Sequence, residues 1–264
     1  MQGKQLGRMI AWAVGTALTF VLLMQTTVLY AGTAQSNGAV ATGGTIPISI
    51  TLTASKDNTL YESAAGTISN GAGDYLFAGQ TNQAALRRGL LAFDLTDKLP
   101  AGATIVSATL QLHMSKTSAG ATAVSLHRLL ANWGEGSSNA NSNEGGGATA
   151  ATGDATWLHT RFNTTLWQTA GGDFAPTASA TTSVANVATY QWRSPTLLAD
   201  LQGWVANPDT NFGWLIMGDE SANSTAKRFD SRENPTAANR PQLTIVYTVT
   251  ATTPATIYLP LVRN

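Results

Sequence analysis

From Thr104 to Met114 apolar and polar residues trade places along the chain. Ile105, Ala108, Leu110, Leu112 and Met114 fall on one side, and Thr109, Gln111 and His113 on the other. A period close to two suits a half-buried β-strand and does not suit a helix, whose apolar face returns every three or four residues. The same pattern recurs in Thr45–Thr53, where Ile46, Ile48, Ile50 and Leu52 share a face, and in Ala123–Leu130 through Val124, Leu126 and Leu129. Tyr75–Ala78, Arg87–Leu95, Thr182–Ala188, Phe212–Met217 and Gln242–Val249 read as further strands. Turn-rich stretches such as Gly66–Gly73 and Lys98–Ala103 separate them. Many short strands with turns between them predict an all-β antiparallel sandwich. A single short helix is predicted over Pro195–Val205, where Leu197, Leu198, Leu201, Trp204 and Val205 recur at helical spacing. Ser194 and Pro195 suit its first turn, and Asn207-Pro208 stops it.

The 264 residues include no cysteine, which removes disulfides, thiolate metal sites and cysteine nucleophiles together. Fifteen basic and fifteen acidic residues cancel, and no run of Lys and Arg occurs, so nothing draws the chain to nucleic acid. Lys4 and Arg8 precede an apolar run from Met9 to about Met24, followed by small residues at Gly32-Thr33-Ala34. This reads as a signal peptide over residues 1–34, or else as a retained N-terminal anchor, the chain's one route to a membrane. Either reading places the body of the protein outside the cell or on its surface. Residues 35–44 form a flexible lead-in, residues 45–250 the sandwich domain, and residues 251–264 a linker and tail ending in the apolar stretch Ile257–Val262. Inside the domain, Gly134–Gly153 is rich in Gly, Ser, Asn and Ala and is expected to be a long surface loop with almost nothing to bury.

Few residues point to chemistry. No Gly-x-Ser-x-Gly elbow, His-Glu-x-x-His helix or EF-hand loop occurs. Glycoside cleavage would need two carboxylates across a cleft, and the sequence cannot place any two of Glu135, Asp154, Asp173, Asp219, Glu220 and Glu233 together. A structural calcium ion needs six to eight oxygen ligands, and Asp57, Asn58 and Glu62, with Asp94 at the end of a nearby strand, are candidates. The competing reading has Asp57 and Asn58 capping a turn through side-chain to backbone bonds. Trp133 and Trp157 border polar loops beside Glu135. They could serve as platforms for the apolar face of a sugar ring, or pack inward as Trp204 and Trp214 are expected to do. Arg232 is expected either to grip an acidic sugar or to pair internally with Asp94 or Glu233.

A set of motifs in order extends these readings. Asp57-Asn58-Thr59-Leu60 comes first, then Arg88–Leu95, then Leu99-Pro100-Ala101-Gly102-Ala103 leading into Thr104–Leu110. Trp133-Gly134-Glu135, Ala155-Thr156-Trp157 and Gly171-Gly172-Asp173 come next. Asn211-Phe212-Gly213-Trp214, Ser231-Arg232-Glu233 and Arg240-Pro241-Gln242-Leu243 complete it. Over roughly Ser55–Val249 the chain resembles the DNRLRE-type domain, which is related to carbohydrate-binding modules of family 96. The resemblance implies a jelly-roll-like sandwich, exported and non-catalytic, that binds polysaccharide or a cell-surface glycan. Two other readings stand beside it: a structural, self-associating surface protein without a glycan ligand, and a polysaccharide-degrading enzyme.

Overall fold

A computed structural model describes residues 45–250. The expected signal or anchor, lead-in and C-terminal tail lie outside the described residues. Among the described residues no helix is long and apolar enough to cross a membrane.

The domain is all-β and antiparallel. Its strands are β1 (Thr45–Thr53), β2 (Lys56–Tyr61), β3 (Ile68–Ser69), β4 (Tyr75–Gln80), β5 (Leu86–Ala92), β6 (Thr104–Thr117), β7 (Thr122–Arg128) and β8 (Ala148–Thr149). Then come β9 (His159–Arg161), β10 (Thr165–Leu166), β11 (Ala180–Val184), β12 (Ala188–Trp192), the helix α1 (Pro195–Ala206), β13 (Trp214–Met217), β14 (Lys227–Asp230) and β15 (Gln242–Thr250). Eleven strands form one curled sheet in the order β1-β15-β6-β14-β4-β5-β13-β7-β11, with β12 added beside β6 and β2 beside β5. The curl brings inward-facing side chains from its two halves together, as in a jelly-roll-like sandwich.

The alternation in β6 does what the sequence predicts. Ile105, Ala108, Leu110, Leu112 and Met114 are buried in the main core with Leu76, Leu91, Val124, Trp214, Phe229 and Ile245. Helix α1 joins this core through Leu197, Leu201 and Trp204, and the Ser194 side chain caps it by accepting from the Leu197 N–H. The strand expected over Thr182–Ala188 is instead parts of two, β11 and β12, because the chain turns back at 185–187.

A second core lies behind β2, β5 and β13. Leu91 faces the main core while its neighbour Leu90 faces this second one. Trp214 and Leu215 divide in the same way, so β5 and β13 are buried on both faces. The cover is the long segment between β7 and β11, which contributes Trp133, Ala155, Trp157 and Trp167. The expectation that Gly134–Gly153 buries almost nothing is therefore corrected. Ser138, Ala140, Glu144 and Ala150 are buried, and the Glu144 carboxylate accepts from Asn70 Nδ2 and from the N–H groups of Asp74 and Tyr75 at 2.8–3.0 Å. A glycine-rich sequence hides this role because its anchoring runs through polar and backbone groups, which leave no apolar pattern.

Candidate functional site

Asp57 is the second residue of β2, Glu135 sits in the covering segment and Arg232 and Glu233 lie in the turn after β14; the fold brings all four together. Asp57 N–H donates to Glu135 Oε1 at 2.9 Å, and Arg232 N–H donates to Asp57 Oδ2 at 2.7 Å. The Arg232 guanidinium reaches Glu135 at 2.6 Å and Glu233 at 2.9 Å from the same Nε. One carboxylate oxygen each from Asp57, Glu135 and Glu233 lies within 4.8 Å of the others. Gly136 follows Glu135 in a tight turn. Its φ of +82° is left-handed, and a Cβ there would sit 1.5 Å from Asp154 Oδ1, where no side chain fits. Asp154 is itself spent on the N–H groups of Ser137 and Ala151, so it holds the turn beside Glu135 in place.

The electrostatics follow from burial. Asp57 is fully buried, and its carboxyl is held well above the usual range by desolvation first and then by the charge of Glu233. Glu233 is pushed up to about 7, again by burial first, with Arg232 opposing the shift. The buried oxygens Asp57 Oδ1 and Glu233 Oε2 have no hydrogen-bond partner. On the other side of Asp57, Lys56 donates to Trp133 O at 2.7 Å and lies over the Trp133 ring; burial, and then the nearby charge of Arg161, lower it to about 8.

Of the calcium candidates, only Asp57 belongs to this cluster. Asn58 is fully buried and its amide is spent: Oδ1 accepts from the N–H groups of Thr59 and Asn70, and Nδ2 donates to Glu135 O at 2.6 Å. It is a brace, which is nearer the capping alternative than the ligand one. Glu62 lies just past the other end of β2 and accepts from the Leu86 N–H, while exposed Asp94 accepts from the Thr96 N–H in its own turn. The set Asp57, Asn58, Glu62 and Asp94 is therefore not one site.

The aromatic platform is corrected as well. Trp133 is 1 % exposed and Trp157 8 %, and both rings belong to the second core. Trp133 Nε1 donates to Phe212 O at 2.8 Å, and the Arg88 guanidinium lies over Trp157. Their polar flanks mislead because several of those polar residues are buried along with the rings: Asp154 and Thr156 are fully buried, and Asp154 is satisfied there by the N–H groups of Ser137 and Ala151. Arg232 takes the internal role, with Glu135 and Glu233 rather than Asp94. The three histidines are engaged locally: His113 with Asp230, His127 with Ala175 O and Ser125, and His159 with Thr156.

A groove that sequence reasoning missed runs beside β4, β6 and β14. It encloses about 410 Å³, and its lining includes Phe77, Gln80, Arg87, Asn82, Lys116 and Arg228. Among the described residues none of its three cations has a carboxylate within salt-bridge distance. Arg228 stacks on Tyr75 at 3.7 Å and bonds Ser115 Oγ; Arg87 lies over Tyr61 at 4.8 Å and bonds Gly145 O. Lys116 Nζ donates to Asn143 Oδ1 at 3.3 Å. These residues come from separate strands, and although the paired Arg87-Arg88 raises the same choice as Arg232, no sequence pattern marks their meeting with Lys116 and Arg228.

No protein-family model matches the chain, and no curated protein matches it at a significant level.

Proposed function

We propose that this chain is an exported, non-catalytic β-sandwich module that binds carbohydrate outside the cell or at its surface, with the sugar held in the groove beside β4, β6 and β14. The observation that carries this reading is the set of three groove cations, Arg87, Lys116 and Arg228, positioned by aromatic rings, a hydroxyl, an amide and a backbone carbonyl rather than by carboxylates. Cations held in this way keep their charge available to a ligand. Gln80, Asn82 and Thr81 offer hydrogen-bonding groups at the same surface, and Phe77 gives it an apolar element, the mixture a sugar ring needs. A saccharide bearing carboxylate or sulfate groups fits best. The resemblance of the ordered motifs to those of the DNRLRE-type domain supports the same reading. Binding is favoured over cleavage because two of the three clustered carboxylates, Glu135 and Glu233, are engaged by the Arg232 guanidinium rather than left free to act on a substrate.

The test is affinity electrophoresis of the purified domain through gels carrying neutral or acidic polysaccharides. Retardation by an acidic polymer, lost in Lys116→Ala and Arg228→Ala, is the expected result. Free migration through every polymer would overturn the proposal.

One observation favours the alternative of a structural, self-associating surface protein. Strand β1 is at a sheet edge, and its Ile46 and Ile48 are 67 % and 37 % exposed. Light scattering that rises with protein concentration, and falls in Ile46→Lys, is what this second reading expects.

A further inference from the structure

Two observations at the Asp57 cluster stand apart from the groove and share no residue with it, so neither depends on the carbohydrate reading. The first is the convergence of Asp57, Glu135 and Glu233 within 4.8 Å. Like charges at this distance repel strongly unless something neutralises them. Arg232 supplies one positive charge against three negative ones, and Lys56 faces Glu135 from the other side of Asp57, so the ionised carboxylates still outnumber the cations around them.

The second observation is independent of charge counting. Asp57 is 0 % exposed, and its Oδ1 has no hydrogen-bond partner, although Oδ2 is used by the Arg232 N–H. Glu233 Oε2 is a second buried oxygen without a partner. A buried carboxylate oxygen left unsatisfied is costly and calls for a donor or a cation. The side chains of Glu135 and Glu233 are 21 % and 22 % exposed, so the cluster opens to solvent on one side, where an ion could enter and keep water ligands.

We propose that Asp57, Glu135 and Glu233 bind one divalent cation, calcium by the chemistry of the donors, which ties the start of β2 to the turn after β14 and to the segment covering the second core. An all-oxygen, carboxylate donor set with neither cysteine nor histidine selects a hard cation over zinc or copper. Calcium accepts irregular oxygen geometry and mixed protein and water ligands, whereas magnesium demands a near-octahedral shell. Asp57 Oδ1 and Glu233 Oε2 are the oxygens left free for it, and Glu135 gives the third carboxylate while still pairing with Arg232. The three segments are far apart in sequence, Asp57 and Glu135 being separated by 78 positions and Glu135 and Arg232 by 97, so an ion here would act as a cross-link within the folded state. In a chain without cysteine it would take a place that disulfides hold in other exported domains.

The experiment uses the full chain, stripped with EDTA and exchanged into chelator-free buffer at neutral pH. Thermal unfolding is followed with calcium chloride, magnesium chloride or neither, beside calorimetric titration of calcium. The expected result is one calcium bound per chain and a midpoint raised by roughly 5–10 °C at saturation, with a smaller response to magnesium. Glu233→Gln, being partly exposed, should keep the fold by circular dichroism and lose both the binding heat and the midpoint rise; Asp57→Asn should do the same where it folds. Absence of binding heat and of any calcium-dependent midpoint change in the parent chain would overturn the proposal in favour of neutralisation by Arg232 and a shared proton. Calcium binding that survives unchanged in Glu233→Gln would place the ion elsewhere and overturn it too.

Discussion

Arg88 grips Glu220 with two nearly equal bonds, Nε to Oε1 at 2.7 Å and Nη2 to Oε2 at 2.8 Å. The same guanidinium lies over Trp157 and Phe174 and donates to Gly171 O, so one side chain from β5 pins the segment that covers the second core. Arg88→Ala would leave Glu220 without its partner in a site that is 20 % exposed and would uncover an indole. A loss of about 2–4 kcal/mol is expected, read from urea unfolding. Arg88→Lys should recover only part of it, since an ammonium cannot make the paired bonds.

Trp157 is a packing residue, and its truncation should behave as one. Trp157→Ala is expected to cost about 3–5 kcal/mol of stability, as large-to-small changes in a core do. Any loss of polysaccharide binding by this variant should track its unfolded fraction. Lys116→Ala, in contrast, should unfold at the midpoint of the parent chain.

Glu144 accepts three hydrogen bonds that fasten the covering segment to the Asn70–Tyr75 region. Glu144→Ala should therefore cost about 2–4 kcal/mol and make the chain near 140–147 the first site cut in limited proteolysis. Unchanged cleavage there would show that the apolar contacts of Trp133, Trp157 and Trp167 hold the segment unaided.

Gly136→Ala tests the turn that presents Glu135. The new methyl would collide with Asp154 Oδ1 and would sit at a φ of +82°. A loss of more than about 1–2 kcal/mol is expected. Calcium binding should weaken with it, and a variant that melts like the parent chain would show that the turn can relax freely.

The buried acids give a pH dependence of definite sign. The Glu233 carboxyl is raised in the folded state from an ordinary 4.5 to about 7, and Asp57 is raised as well. A folded-state value above the unfolded one contributes stability that is complete below the unfolded value and is lost as pH climbs through the folded value. In EDTA the urea midpoint should therefore fall between about pH 4.5 and pH 7. Lys56, lowered from 10.5 to about 8 by burial, acts in the opposite direction at higher pH. Folding costs it a charged, desolvated ammonium below about 8, and that cost fades as pH rises from 8 towards 10.5. A trough of stability near neutrality, flattened on the acid side by calcium, is the expected profile.

Local signals in the sequence place most of the long strands, the helix and the sandwich class, though not β2, β14 or the break between β11 and β12. Period-two alternation in β6, three- and four-residue spacing in α1 with Ser194 at its cap, and the turn residues between strands are local signals, legible because each follows from the pitch of the backbone next to it. The site was legible only in pieces: Asp57 stood out as a metal candidate, and Glu135 and Arg232 as sugar-binding candidates beside Trp133 and Trp157. Their meeting spans 78, 97 and 175 residues, and nothing local encodes which distant loop a carboxylate will face. Tertiary structure alone decided that Trp133 and Trp157 pack inward, that Asn58 is a brace, that Glu62 and Asp94 lie apart, and that three cations share a groove. The physical reason is the same in every case. A strand pattern says which side of the sheet is apolar, but the second burial, behind β5 and β13, depends on a segment whose buried indoles follow no strand or helix period and whose remaining hold is made of hydrogen bonds and ion pairs.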